Sequence, residues 1–104
     1  MWWLLLLLFA PIAHSESPDE LFLLQLYADG ITYSNAPDII GYAHGVCAEI
    51  PSYSFPTIVS MIRHDFPSLP LQAADRLAAD SILVYCPNYA TKVIEDRLNG
   101  QTVH

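Results

Sequence analysis

The stretch APDIIGYAHGVCAEIP, residues 36–51, decides the fold. Ile39, Ala43, Val46 and Ile50 recur at i, i+4, i+7 and i+11, the spacing of one helical face, and Cys47 stands beside that face. Pro37 in the first turn suits a helix start, where its missing N–H has no partner to lose, and Pro51 closes the segment. Gly41 and Gly45 each cost about 1 kcal/mol relative to alanine inside a helix. Close approach of a neighbouring helix backbone is the expected reason for them, with a ligand contact as the alternative.

Upstream, Ser17-Pro18-Asp19-Glu20 has the pattern of a capping box with proline at the first helical position. It predicts a helix over 18–29. Its apolar stripe runs through Leu21, Leu24 and Tyr27 or Ala28, widened by Phe22 and Leu26, and Gly30 is suited to the left-handed residue that ends it. Downstream, Ser54-Phe55-Pro56-Thr57 opens a third helix with Phe55, Ile58 or Val59, Ile62 and Phe66 facing inward, stopped by Pro67 and Pro70. A fourth carries Leu71, Ala74, Ala78, Ile82 and Tyr85, and ends at Cys86-Pro87 because a residue before proline is pushed out of the helical region. Asn88 to Leu98 adds a short amphipathic helix through Tyr89, Val93 and Ile94, with Gly100 as its stop. No segment alternates with period two, and there is no internal repeat. The expected fold class is all-α: a small bundle of four to five short helices.

Residues 1–15 differ from this domain. Trp2-Trp3-Leu4-Leu5-Leu6-Leu7-Leu8-Phe9 is apolar, and no charged side chain precedes Glu16. The run is shorter than the roughly 20 residues a bilayer span requires. It has the length of a signal-peptide core, and Ala13-His14-Ser15 supplies small residues for cleavage before Glu16. The expectation is a signal peptide over 1–15 and a single helical domain over 16–104, with its core at about 18–98. The protein would be secreted or held in the cell envelope, with no stable membrane span after cleavage.

Two cysteines in an exported chain of this length read as one bridge, Cys47 to Cys86. In the chain-entropy account, closing a loop of about 40 residues stabilises by roughly 4 kcal/mol. No Cys-x-x-Cys pair is present for redox exchange, and two cysteines alone do not make a zinc site. Eleven acidic against four basic side chains give a net charge of −7, which disfavours nucleic acid and anionic lipid as partners.

Asp19-Glu20-Leu21-Phe22-Leu23 with Leu26 and Gly30-Ile31, then Gly45-Val46-Cys47, then an alanine-rich helix ending in Tyr85-Cys86-Pro87, resembles the domain of unknown function 732 family. That family is common in small secreted actinobacterial proteins, mainly mycobacterial, and in their phages. The resemblance covers about Asp19 to Pro87. It implies an exported helical domain with a single disulfide and brings no catalytic residues with it. The pattern departs after Cys47, where Ile50-Pro51-Ser52 stands in place of an apolar-then-glycine turn.

The side chains offer little catalytic pattern. Neither His44 nor His64 has a metal-ligating residue four positions away, and His64-Asp65 point in different directions on a helix. An enzyme would need two or more of His44, Glu49, His64 and Asp65 to converge. Asp19-Glu20 complement a helix dipole, and Glu95-Asp96 read as solvated. No nucleophile elbow, phosphate loop or calcium loop occurs. No catalytic residue, metal ligand or cofactor is therefore expected. Tyrosines are the one enrichment with binding potential: Tyr33, Tyr42, Tyr53, Tyr85 and Tyr89 carry an apolar body and a polar tip. From these, Tyr42 and Tyr53 with His44 and His64 are the candidate ligand contacts. The expected function is a non-catalytic extracellular or cell-envelope interaction module, its partner an unknown protein or envelope component. The alternative is a carrier of a small hydrophobic ligand or haem.

Overall fold

Polar caps set most of the helix starts. Ser17 accepts from the Glu20 N–H at 3.2 Å, Asn35 from Asp38 N–H at 2.9 Å and Ser54 from Thr57 N–H at 3.3 Å, each followed by proline in the first turn. The structure is a computed structural model and describes residues 17–102. The expected signal peptide lies outside the described residues. The helices are α1 (Pro18–Ala28), α2 (Ala36–Glu49), α3 (Phe55–Asp65), α4 (Leu71–Tyr85) and α5 (Ala90–Thr102), with a 3-10 turn at Pro87–Tyr89. Among the described residues there is no strand, so the all-α expectation holds.

The end of α1 is a Schellman motif. Gly30 takes φ +75°, its N–H bonds the Tyr27 carbonyl, and the Ile31 N–H bonds the Leu26 carbonyl at 2.9 Å. Ile31 and Leu26 are both buried, which supplies the apolar contact that accompanies this cap. The α2–α3 connection turns without a glycine. The Ser52 and Tyr53 N–H groups both return to the Glu49 carbonyl, and no residue there needs positive φ.

α4 is the axis of the bundle, packed on by α1, α2 and α3. Its inward positions are Ala74, Leu77, Ala78, Ser81 and Ile82, mostly small, so three neighbours can approach one helix. Ser81 is fully buried and donates to the Leu77 carbonyl at 2.7 Å, satisfying its hydroxyl within its own helix. Ile39, Ala43, Val46 and Ile50 of α2 and Phe55, Ile58, Val59 and Ile62 of α3 are buried as their spacing predicts. Cys47 and Cys86 are bonded, with Cα atoms 6.0 Å apart, joining α2 to the end of α4.

Six expectations are corrected, one of them Phe66, which was expected to face inward from α3 and is exposed. In α1 the buried residues are Phe22 and Leu26, while Leu21, Leu24 and Tyr27 face out. α1 is apolar on nearly every side, so periodicity offered two faces, and the position of α4 chose between them; Phe22 packs edge-on to Tyr85 at 5.4 Å. Leu71, in the first turn of α4, is exposed. Gly41 and Gly45 accommodate no close helix: a Cβ at either would meet nothing within 4 Å. α2 and α3 both pack on α4 and barely on each other, and the glycines border the groove between them. α5 continues through Gly100 to Thr102. Finally, Asp96 is not simply solvated: it accepts from the Phe55 N–H at 2.9 Å, at the start of α3.

One buried pair is polar. Asp80 of α4 shares a hydrogen bond with the Asp29 carboxyl at the end of α1. The Oδ2 atoms of both are buried without a hydrogen-bond partner among the described residues. Desolvation first, and then the Asp29 hydrogen bond and charge, push the Asp80 carboxyl up to about 8, partly opposed by Arg76.

Two predictions follow from this packing. Replacing both cysteines by alanine lowers stability by about 2–4 kcal/mol, read from urea unfolding of the oxidised protein beside the variant. The Asp80 effect has a defined sign. Between the unfolded carboxyl near 4 and the folded one near 8, the folded chain holds the extra proton. Its contribution is therefore complete below about pH 4 and is lost progressively as pH rises through about 8. Asp80→Asn keeps a donor to Asp29 and removes that dependence, so unfolding midpoints from pH 5 to 9 fall more steeply for the parent than for the variant.

Candidate functional site

Tyr42, in the middle of α2, stands between two hollows and lines both. Its hydroxyl donates to Asp65 Oδ2 at 2.6 Å, across to the end of α3, and its ring meets Phe66 edge-on at 5.0 Å. Burial first, then the hydrogen bond and charge of Asp65, hold the phenol above its ordinary range. It therefore remains a neutral donor at physiological pH.

The first hollow, about 400 Å³, lies between the α1–α2 and α3–α4 connections. Tyr33, Tyr42 and Phe66 are its aromatic walls, Asp38 contributes a carboxylate, and the buried Ile39 and Leu77 lie at its base. Asp38 is held in place by the Asn35 side-chain amide, which donates to its Oδ2 at 2.8 Å. The second hollow, about 340 Å³, runs over Gly41 and Gly45, with Glu49, Met61 and Asp65 along it. The space that a helix was expected to fill above these glycines is this groove.

The other sequence candidates lie elsewhere. His44 is two residues from Tyr42 and so points about 200° around the helix. It packs against the Tyr85 ring with centroids 4.3 Å apart, and the Tyr85 hydroxyl in turn donates to Asp19 at 2.5 Å. The His64 side chain is 92% exposed, with Nδ1 3.8 Å from the Asp65 carboxylate. Tyr53 sits in the α2–α3 turn with its ring exposed, and its carbonyl accepts from Lys92 at 2.7 Å. Of the four groups from which an acid–base site needed two or more to converge, the carboxylates Glu49 and Asp65 share one hollow, and His44 and His64 line neither. Among the described residues, no three His, Cys, Asp or Glu side chains are grouped to hold a metal ion.

Asp38 and Phe66 did not stand out as site residues in the sequence, and Asp65 was weighed only as an acid–base group. Asp38 read as a helix-opening residue and Phe66 as core. Tyr42 and Asp65 are 23 positions apart, and no local pattern signals their pairing.

A second surface feature is the outer face of α1. Leu21, Leu24 and Tyr27 follow one another at i, i+3 and i+6, and Tyr27 is 84% exposed. Among the described residues no helix is long and apolar enough to cross a membrane.

Comparison with known proteins agrees with the sequence pattern. Uncharacterised proteins of Mycobacterium bovis and Mycobacterium tuberculosis are each 37% identical over 84 residues, 80% of this chain and 75% of theirs. No solved structure matches. The family model described as protein of unknown function (DUF732) matches residues 18–88, from the first residue of α1 into the 3-10 turn that follows Cys86. The chain belongs to this DUF732 family.

Proposed function

We propose that this protein is an exported, non-catalytic interaction module that binds a protein or cell-envelope component through the outer face of α1. The observation that carries the reading is the strip Leu21, Leu24 and Tyr27, exposed although its own helix has another apolar face buried. Gln25 and Ala28 are the exposed neighbours, so this stretch carries no charge between Glu20 and Asp29. Apolar, aromatic and charge-depleted surface is the composition of an interface centre. The Cys47–Cys86 bridge supports export, because such bonds persist in oxidising compartments. The apolar leader supports it independently.

A second reading, carriage of a small ligand, is favoured by the hollow beside Tyr42. Its volume lies near the lower end of the range of small-molecule sites, roughly 300–1,000 Å³. His44 and His64 line neither hollow, which favours a small organic ligand over haem.

The test of the first reading is affinity capture from envelope extract with disulfide-intact protein, beside a Leu24→Gln, Tyr27→Gln variant. Both positions are exposed, so the substitutions should leave thermal unfolding nearly unchanged. The captured partner should bind the variant at least about tenfold more weakly, as expected for an aromatic hot spot. Equal capture by both proteins would remove α1 as the binding face.

A further inference from the structure

The first hollow has a chemistry of its own, independent of the α1 face. Its walls are aromatic and its lining contains no Lys, Arg or His, while Asp38 contributes a carboxylate. Across Tyr42, the second hollow likewise contains no basic residue and adds Glu49 and Asp65. His64 comes within 3.8 Å of Asp65 but is nearly fully exposed and lines neither space. The whole chain carries a net charge of −7, so the field at this concave surface is reinforced rather than cancelled.

Aromatic rings attract cations through the negative face of their π system, and a nearby carboxylate adds charge complementarity. The Tyr42 hydroxyl donates to Asp65 Oδ2, a bond that polarises electron density toward its ring. Anions meet two unfavourable features here, the carboxylates and the absence of a basic partner. A neutral apolar ligand would use the rings and leave the Asp38 charge unmatched. We propose that the Tyr33–Tyr42–Phe66 hollow is a binding site for a small organic ammonium ion, its apolar body on the rings and its cationic group toward Asp38. A volume of about 400 Å³ accommodates one compact ligand of this class.

The site is suited to substitution because much of it lies outside the core. Tyr33 is 40% exposed in the α1–α2 connection, and Phe66 is 37% exposed at the end of α3. Asp38→Asn retains the shape of a side chain at the rim and removes only its charge.

The experiment is an amide NMR titration of the full chain, produced in an exporting host and recovered with its disulfide formed. The probes are benzyltrimethylammonium, benzyl alcohol and benzoate, which share a ring and differ in charge. The expected result is saturable shifts around Tyr33, Tyr42, Phe66 and Leu69 with the cation, at least about threefold weaker binding of the alcohol, and none of benzoate. Asp38→Asn and Tyr33→Leu should each weaken the cation roughly three- to tenfold, whereas Tyr33→Phe, which keeps the ring, should restore it. Binding of the alcohol as tight as that of the cation, binding of benzoate, shifts centred on α1, or an unchanged cation affinity in Asp38→Asn would each overturn the assignment. Partner capture through Leu24 and Tyr27 is read separately, so either reading can fail without the other.

Discussion

The rest of the structure depends on the covering of α4 from three sides. A helix contacted by α1, α2 and α3 together cannot carry large side chains all round, and the alternation of Ala74, Ala78 and Ser81 with Leu77 and Ile82 meets that requirement. Adding volume at Ala74, Ala78 or Ser81, all fully buried, would push a neighbouring helix outward. The disulfide acts at the end of this axis. By fixing α2 to the residue that terminates α4, it holds a connection of 39 positions closed in the unfolded chain as well.

α5 is attached differently. Its inward apolar contribution is small, with Val93 buried and Ile94 exposed, and its position is set by two charged side chains instead. Lys92 donates to the Ile50 and Tyr53 carbonyls just past the end of α2, while Asp96 accepts from the Phe55 N–H at the start of α3. One turn of α5 thus places a cation at a helix C-terminus and an anion at a helix N-terminus, the signs that each helix dipole favours. The turn between α2 and α3, which lacks the glycine of the related pattern, is closed from outside by these bonds.

The same arrangement explains why the open surfaces lie where they do. α2 and α3 lean on α4 rather than on each other, so a groove remains above Gly41 and Gly45, and Tyr42 with its Asp65 bond forms the partition between that groove and the hollow beside Phe66. α1 meets the core through Phe22 and Leu26, with Leu23 partly buried beside them. Leu21, Leu24 and Tyr27 are left facing outward.

Much of the fold was legible in the chain. Helix limits followed from Ser17, Ser54 and the prolines because caps and breakers act within a few residues, and the α2 and α3 core faces followed from strict helical spacing. The pairing of Cys47 with Cys86 needed only their number and compartment. The site was hardly legible. Tyr42 was singled out by residue type, but His44, Tyr53 and His64 were grouped with it although two residues of helix rotation, an intervening turn and full solvation keep them apart. By itself the sequence determined the helices, their ends apart from that of α5, and the single cross-link, since these depend on local sterics, hydrogen bonding and cysteine count. The tertiary structure alone decided which face of α1 is buried, why two glycines border open space, and which carboxylates gather around Tyr42. Those outcomes depend on how helices distant in sequence share one central neighbour, and no local pattern encodes that.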